Sequence, residues 1–430
     1  MDCLLSENPG STSEDDRGVD EADSSELAPR SASDAFEAGD AERAVDDDFA
    51  FNDLVYVTIP SDPPPGAKLA DDRDGWTQCL LRHPALATIL STPGFPRRPH
   101  YPPDVCFCIG PSKHGLGMFA TRDLSMGDHI LTERPLTVTP TTIPMPKFAR
   151  CLEGLTDEQR RQAILDRWEK AFLLPCFNRL DSAAQADFLD LANSHAEDGS
   201  GPILGVIRTN GFEVAGVVDP GPDGEYAAVC RIMCRINHSC SPSADRLFDI
   251  ASFSFQLRAT RDVKQGEEIF VSYCNVLETA ADRQEYLASY GIKCTCNSCL
   301  PDTTASDQRR LDLRRSIDAI DNDYDTWLAD PLLADDYTIK ISLRWISVIQ
   351  QEALEASDAY RHHLHAIVKA YVALGDAENA VKYGRLLGLW ALGQSGKEDM
   401  LRKMENPGYH RGRPDWGIRV CAEDEGLGEI

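Results

Sequence analysis

Three cysteines within six residues, Cys294-x-Cys296-x-x-Cys299, constrain this chain more than any other feature. One turn of backbone with that spacing can wrap three thiolates around a tetrahedral ion at about 2.3 Å per sulfur, leaving the fourth corner to a ligand from elsewhere. By motif logic Cys240, in the run Asn237-His238-Ser239-Cys240, is the best-placed fourth ligand. The start, MDCLLSENPG, has no basic segment followed by an apolar one, so the thiols are expected to stay reduced in the cytosol or nucleus. Fourteen cysteines then point to metal or catalysis rather than to a disulfide framework. Cys79, Cys151 and Cys176 read as small buried hydrophobes, and Cys106-x-Cys108 as structural.

Charge narrows the classes of partner. The 430 residues carry 43 basic and 70 acidic side chains, a formal charge of -27, which argues against direct binding to nucleic acid phosphate. No stretch reaches the roughly 18 uncharged apolar residues of a membrane helix. Residues 1–50 hold 16 Asp or Glu against 3 Arg, so residues 1–60 read as an acidic disordered tail. Residues 61–104 are rich in proline and read as a linker around one short helix near Gln78 to Leu90.

From Val105 the texture changes. Gly115, Gly117 and Gly127 punctuate runs such as MFATRDL and HILTERPLTV, which predict strands joined by tight turns in a β-rich domain over 105–274. Leu180, Ala184, Phe188, Leu189 and Leu191 fall at helical spacing, predicting a helical insertion over 145–200. Phe253, Phe255 and Leu257 alternate with Ser254, Gln256 and Arg258. Ile269, Val271 and Tyr273 alternate with Phe270 and Ser272, and Gln265-Gly266 turns between these two strands. Residues 301–430 are predominantly helical. Gly375-Asp376 breaks two amphipathic helices that resemble one tetratricopeptide-type pair. The fold class is therefore α+β.

Four motifs occur in order: Gly115-Leu116-Gly117-Met118-Phe119-Ala120, then Asn237-His238-Ser239-Cys240-Ser241-Pro242, then Gly266-Glu267-Glu268-Ile269 leading to Ser272-Tyr273, then the cysteine triplet. This set resembles the SET-domain protein lysine methyltransferases. The long insertion and Thr209-Asn210-Gly211-Phe212 look most like the SMYD branch, but the insertion has only Cys151 and Cys176, too few for that branch's MYND zinc finger. Ser243 stands where the family usually has Asn, and Ile292 where the branch often has an aromatic over the adenine.

The resemblance implies an S-adenosylmethionine-dependent protein-lysine N-methyltransferase with a zinc-binding post-SET segment over 275–300. It implies cofactor contacts at His114, Gly115, Leu116, Gly117, Asn210, Asn237, His238 and Tyr273, structural Zn2+ on Cys240, Cys294, Cys296 and Cys299, and Tyr273 as the catalytic residue. The substrate would be a lysine-containing protein, histone or ribosomal in type, with no nucleic acid or membrane partner. A monomer in the nucleus or cytoplasm is expected.

The cofactor carries a sulfonium and no phosphate, so the glycine turn serves close backbone approach rather than anion binding. The lysine, with an ordinary pKa of about 10.4, must become neutral to attack, which an apolar channel favours without a dedicated base. Tyr273 would orient the lysine nitrogen. Glu267 and Glu268 read as turn and surface carboxylates. Two other readings compete: a catalytically silent SET scaffold whose helical domain binds partners, and a thiol redox enzyme with an exposed cysteine pair.

Overall fold

The computed structural model describes residues 54–61, 74–142, 152–217, 224–300, 302–396 and 398–420. Residues 1–53 of the acidic tail and Cys151 lie outside them. The first described element, β1 (Leu54–Ile59), pairs antiparallel with β2 (Thr77–Arg82), Leu54 facing Arg82. Along β2, Cys79 and Leu81 enter one apolar core while Leu80 enters a second. A strand covered on both faces loses its polar alternation. That is why this segment reads as helix: the expected linker with a helix from Gln78 is corrected to a core strand followed by α1 (His83–Ser91), whose first turn carries Pro84.

Strands β3 (Phe107–Ser112) and β4 (Gly115–Ala120) form a hairpin, followed by β5 (His129–Glu133) and β6 (Thr137–Pro140). Cys106 is buried and free, whereas Cys108 is disulfide-bonded, a departure from uniformly reduced thiols. The insertion contains α2 (Asp157–Arg167), opened by a Thr156/Gln159 capping box. A π-helical turn (Trp168–Leu173), α3 (Leu174–Phe177), α4 (Ser182–Leu189) and α5 (Pro202–Asn210) follow. Then come β7 (Phe212–Glu213), β8 (Tyr226–Val229), β9 (Ala244–Asp249), β10 (Ser254–Ala259), β11 (Glu268–Ile269) and α6 (Ala280–Ala288).

The strands build three sheets, ordered β1-β2-β6-β8-β7, β5-β10-β9 and β11-β4-β3. Met118, Ile130, Val138, Phe255 and Leu257 share the core between them. The insertion packs Trp168, Phe188 and Leu204 on the other face of the five-stranded sheet, against Leu80, Leu136 and Val229. Along β10 all six residues are buried, including Gln256 and Arg258.

The remainder is helical: α7 (Thr304–Ala329), α8 (Tyr337–Glu352), α9 (Asp358–Ala373), α10 (Ala377–Ser395), α11 (Asp399–Met404) and α12 (Pro407–Arg411). Their core includes Leu313, Ile349, Leu364, Ile367 and Leu387. Between α9 and α10, Gly375 takes φ +70° and Asp376 caps α10 by accepting from Asn379 N–H at 3.0 Å. Helix α10 packs against β9 and β10: Gln394 donates to Asp245 at 3.0 Å, and Leu389 lies against Gly127.

Candidate active site and cysteine centre

Beyond β11 the chain leaves the sheet and crosses the Asn237–Ser243 segment. The strand expected through Tyr273 therefore ends at Ile269, and its later backbone groups bond the motif loop instead. Val271 N–H donates to Asn237 O at 3.1 Å, Ser239 N–H to Val271 O at 3.0 Å, and Ser243 N–H to Phe270 O at 2.9 Å. Ser243 is fully buried, and its hydroxyl accepts the Phe270 N–H at 3.0 Å. The position that departs from the family pattern thus still carries a polar contact at the crossing.

Three segments converge on this crossing. The β3–β4 turn places His114, Gly115 and Leu116 at the surface and Gly117 inside. Gly115 has φ +95° and nothing within 4 Å of where a Cβ would stand, so it borders open space. At Gly117 a Cβ would stand 2.3 Å from Glu268 Oε1. Glu268 is the reason this glycine is needed: half-buried rather than on the surface, it accepts from the Ser112 hydroxyl at 2.8 Å and from the Asn237 amide at 2.7 Å. Asn237 Nδ2 also donates to Leu116 O at 3.0 Å. Both amide protons are thereby spent within the protein, and Oδ1 remains as an acceptor.

Asn210 is arranged alike. It is buried at the end of α5, and its Nδ2 donates to Ala192 O at 2.7 Å and Val206 O at 2.8 Å. His238 is buried, and its ring is committed to the protein: Nδ1 accepts the Tyr273 N–H at 3.0 Å, which leaves the proton on Nε2, 3.3 Å from Cys240 Sγ. The imidazole is a bracket between the tyrosine segment and the cysteine centre, and only the His238 backbone is left for a ligand.

Tyr273 is half-buried, and its hydroxyl donates to Ile236 O at 2.5 Å. Its oxygen can then only accept from whatever stands before it. Burial pushes the phenol above its ordinary pKa, so it stays neutral. The Tyr273 ring lies 5.4 Å from the His238 ring and 6.0 Å from Tyr290, which stands 5.9 Å from Tyr286. The sequence reading missed these two aromatics; their spacing of four residues at the end of α6 was the available signal.

Behind Tyr273 the sulfurs of Cys240, Cys294, Cys296 and Cys299 all lie within 4.8 Å of one another. Four sulfurs bonded to one ion at about 2.3 Å stand about 3.8 Å apart, and Cys240 is 3.9 Å from Cys294 and 3.5 Å from Cys299. The quartet therefore fits a tetrahedral ion. His238, Cys240 and Cys274 form a second group that shares Cys240. Hydrogen bonds shared with Cys240 lower the Cys296 and Cys299 thiols below their ordinary range. Lys113, in the glycine turn, donates to Thr295 Oγ1 at 2.7 Å and ties that turn to the knuckle.

Two arginines anchor the knuckle. Arg283 of α6 donates to Ser298 O at 3.2 Å and toward Cys299 Sγ at 3.7 Å. Arg310 of α7 is fully buried and donates to Cys240 O at 3.0 Å and Ser298 Oγ at 2.9 Å, with Glu352 3.3 Å away. Glu133, at the end of β5, accepts the N–H groups of Arg231, Ile232 and Met233 at 2.8, 2.9 and 2.8 Å. It thereby sets the approach to Asn237. Nothing in the local sequence marks these residues, because their partners are far apart in the chain.

A glycine hairpin, a segment crossed by the chain that follows β11 and a cysteine quartet behind the crossing make up the site, and residues 115–274 match the family described as SET domain. The chain is similar to lysine methyltransferases. It is 26% identical to the histone-lysine N-methyltransferase set5 of Schizosaccharomyces pombe over 43% of this chain and 47% of that protein. It is 32% identical to the N-lysine methyltransferase SMYD2 of Homo sapiens over 26% of this chain and 24% of that protein. The chain thus spans less than half the length of these two relatives. Among solved structures, the SET domain of LSMT bound to lysine and AdoHcy is 15% identical, covering 80% of this chain and 97% of that one, with a TM-score of 0.26.

Proposed function

We propose that this protein transfers a methyl group from S-adenosylmethionine to the side-chain nitrogen of a lysine in a protein substrate. The observation that carries the reading is the Tyr273 hydroxyl, held by Ile236 O beside the crossing of the motif segments. The bound cofactor would supply an electrophilic methyl group on a sulfonium. The open face at Gly115 admits close backbone approach, and the Oδ1 atoms of Asn237 and Asn210 are acceptors suited to the cofactor's ammonium. Together they fit a cationic ligand that carries no phosphate.

Tyr273 accepts from the incoming amine and holds it in line, while Tyr290 and Tyr286 extend the aromatic wall. Cys240, Cys294, Cys296 and Cys299 would hold one structural zinc, which fixes the 294–299 knuckle behind the channel. The acidic tail expected over 1–60 stops short of Leu54–Ile59, which forms β1; we assign 105–274 as the SET core, 275–300 as post-SET and 301–430 as a tetratricopeptide-like unit that meets partners. The acidic balance suits basic, lysine-rich substrates such as histone tails or ribosomal proteins, met by a monomer in the nucleus or cytoplasm. Among the described residues no helix is long and apolar enough to cross a membrane. Calorimetry with the cofactor tests the reading: saturable binding with one site per chain supports it, and no binding at millimolar cofactor leaves the silent scaffold.

A further inference from the structure

One cation at the tyrosine cluster plays no part in the reading so far. Arg246, on β9, is half-buried. Its Nη1 donates to Ser272 O at 3.2 Å, and its guanidinium carbon lies 4.6 Å above the Phe212 ring. The two anchors belong to the segment that delivers Tyr273 and to the strand just after Asn210, so the charge is strapped beside the channel rather than free to swing out.

No carboxylate among the described residues forms an ion pair with it. Its neighbour Asp245 accepts from Gln394 of α10, and Glu133 of β5 is occupied by three backbone N–H groups. The groups that feel the guanidinium are Tyr273, Tyr290, Cys230 and Cys234. Burial pushes all four upward and keeps them neutral, and the arginine charge works against that push in each. The surroundings of Tyr273 thus combine one fixed positive charge with neutral hydroxyls and thiols. The Glu133 carboxylate is felt at Cys230 and Cys234, whereas at Tyr273 and Tyr290 the arginine charge acts without it, so an ammonium beside the tyrosines meets the positive charge.

We propose that Arg246 is an electrostatic positioning residue which holds the substrate lysine in its neutral, nucleophilic form by raising the positive potential at the channel. The inference rests on the methyltransferase reading above. At a separation of about 7 Å in surroundings of intermediate dielectric, a unit charge displaces an amine equilibrium by about one to two pH units. Arginine suits the task because it does not itself lose its proton in the working range.

The test follows incorporation of labelled methyl from S-adenosylmethionine into lysine of a whole-cell protein extract, from pH 6.5 to 10, for the intact chain, Arg246→Gln and Arg246→Lys. The rising limb should move up by about one pH unit in Arg246→Gln, with an approximately tenfold loss near neutrality that closes at high pH. Arg246→Lys should keep the limb where the intact chain has it. Cofactor affinity and melting temperature should stay near those of the intact chain in both variants. A limb that does not move, or a loss that is the same at every pH, overturns the role of Arg246 and leaves the methyltransferase reading standing; the uniform loss would indicate that the guanidinium binds an acceptor group of the substrate. No incorporation by the intact chain overturns both.

Discussion

The hydroxyl of Tyr273 donates its proton to the carbonyl oxygen of Ile236 at 2.5 Å, across a loop that the Tyr273 segment itself helps to pin. With its proton committed, the oxygen serves only as an acceptor and a spacer. Tyr273→Phe keeps the ring and its packing. Methyl transfer should fall on the order of 10²-fold or more, while cofactor affinity stays within a few-fold and the melting temperature is little changed. Full turnover in Tyr273→Phe would reduce this residue to packing.

Gly117→Ala tests the glycine hairpin through a residue it never bonds. The new methyl would collide with Glu268 and stand 3.0 Å from Ser112 Cβ, forcing the carboxylate off Asn237. Cofactor affinity should drop at least tenfold, while the zinc content is unchanged. Gly115→Ala has open space but an unfavourable φ of +95°, so it should cost stability, about 1 kcal/mol, more than affinity. Calorimetry and thermal melts separate the two.

Freshly purified protein should contain one zinc per chain, and Cys296→Ser should lose it. Arg310 is the more telling position, because it lies on α7 and touches no sulfur. Replacing it with Met leaves Glu352, only 6% exposed, without one of its cations, a loss that typically costs about 3–5 kcal/mol. Zinc release to a chelator should then accelerate at least tenfold. A release rate equal to that of the unaltered chain would mean that the helical region does not brace the knuckle.

The helical region should also carry an acid-sensitive element. His363 is fully buried between Ser316 and Ser342, its Nε2 2.9 Å from the Ser316 hydroxyl. Burial lowers its pKa to about 4 from an ordinary value near 6.5. The unfolded chain therefore binds a proton that the folded chain refuses. The stability contribution is complete above pH 6.5 and declines as pH falls toward 4, by on the order of 3 kcal/mol at most. His363→Gln should flatten that part of the stability profile, measured by urea unfolding at stepped pH. An unchanged slope would contradict the assignment.

The cysteine quartet was legible because three of its members are adjacent in sequence and the fourth sits in a recognisable run. The crossing of the Asn237 and Tyr273 segments was legible only as an ordered set of motifs, since its bonds join residues 27 to 37 positions apart. What sequence reading lost, it lost to burial on both sides. β2 sits between two cores and so loses the alternation that marks a half-buried strand, whereas β10 keeps it although all six of its residues are buried. Glu133, Glu268 and Arg310 look like surface charges until the fold brings backbone donors, an amide or a carbonyl to them. The imidazole of His238 was expected at the cofactor, and a backbone N–H and a cysteine take both of its nitrogens instead.

The central claim is tested most directly by incubating the intact chain with S-adenosylmethionine bearing a deuterated methyl group and a whole-cell protein extract, then mapping the label by mass spectrometry. The account predicts deuterated methyl on lysine side-chain nitrogens, absent when the chain is omitted and reduced on the order of 10²-fold with Tyr273→Phe. Cofactor binding with no label on any lysine, or equal labelling by the intact chain and Tyr273→Phe, would contradict it.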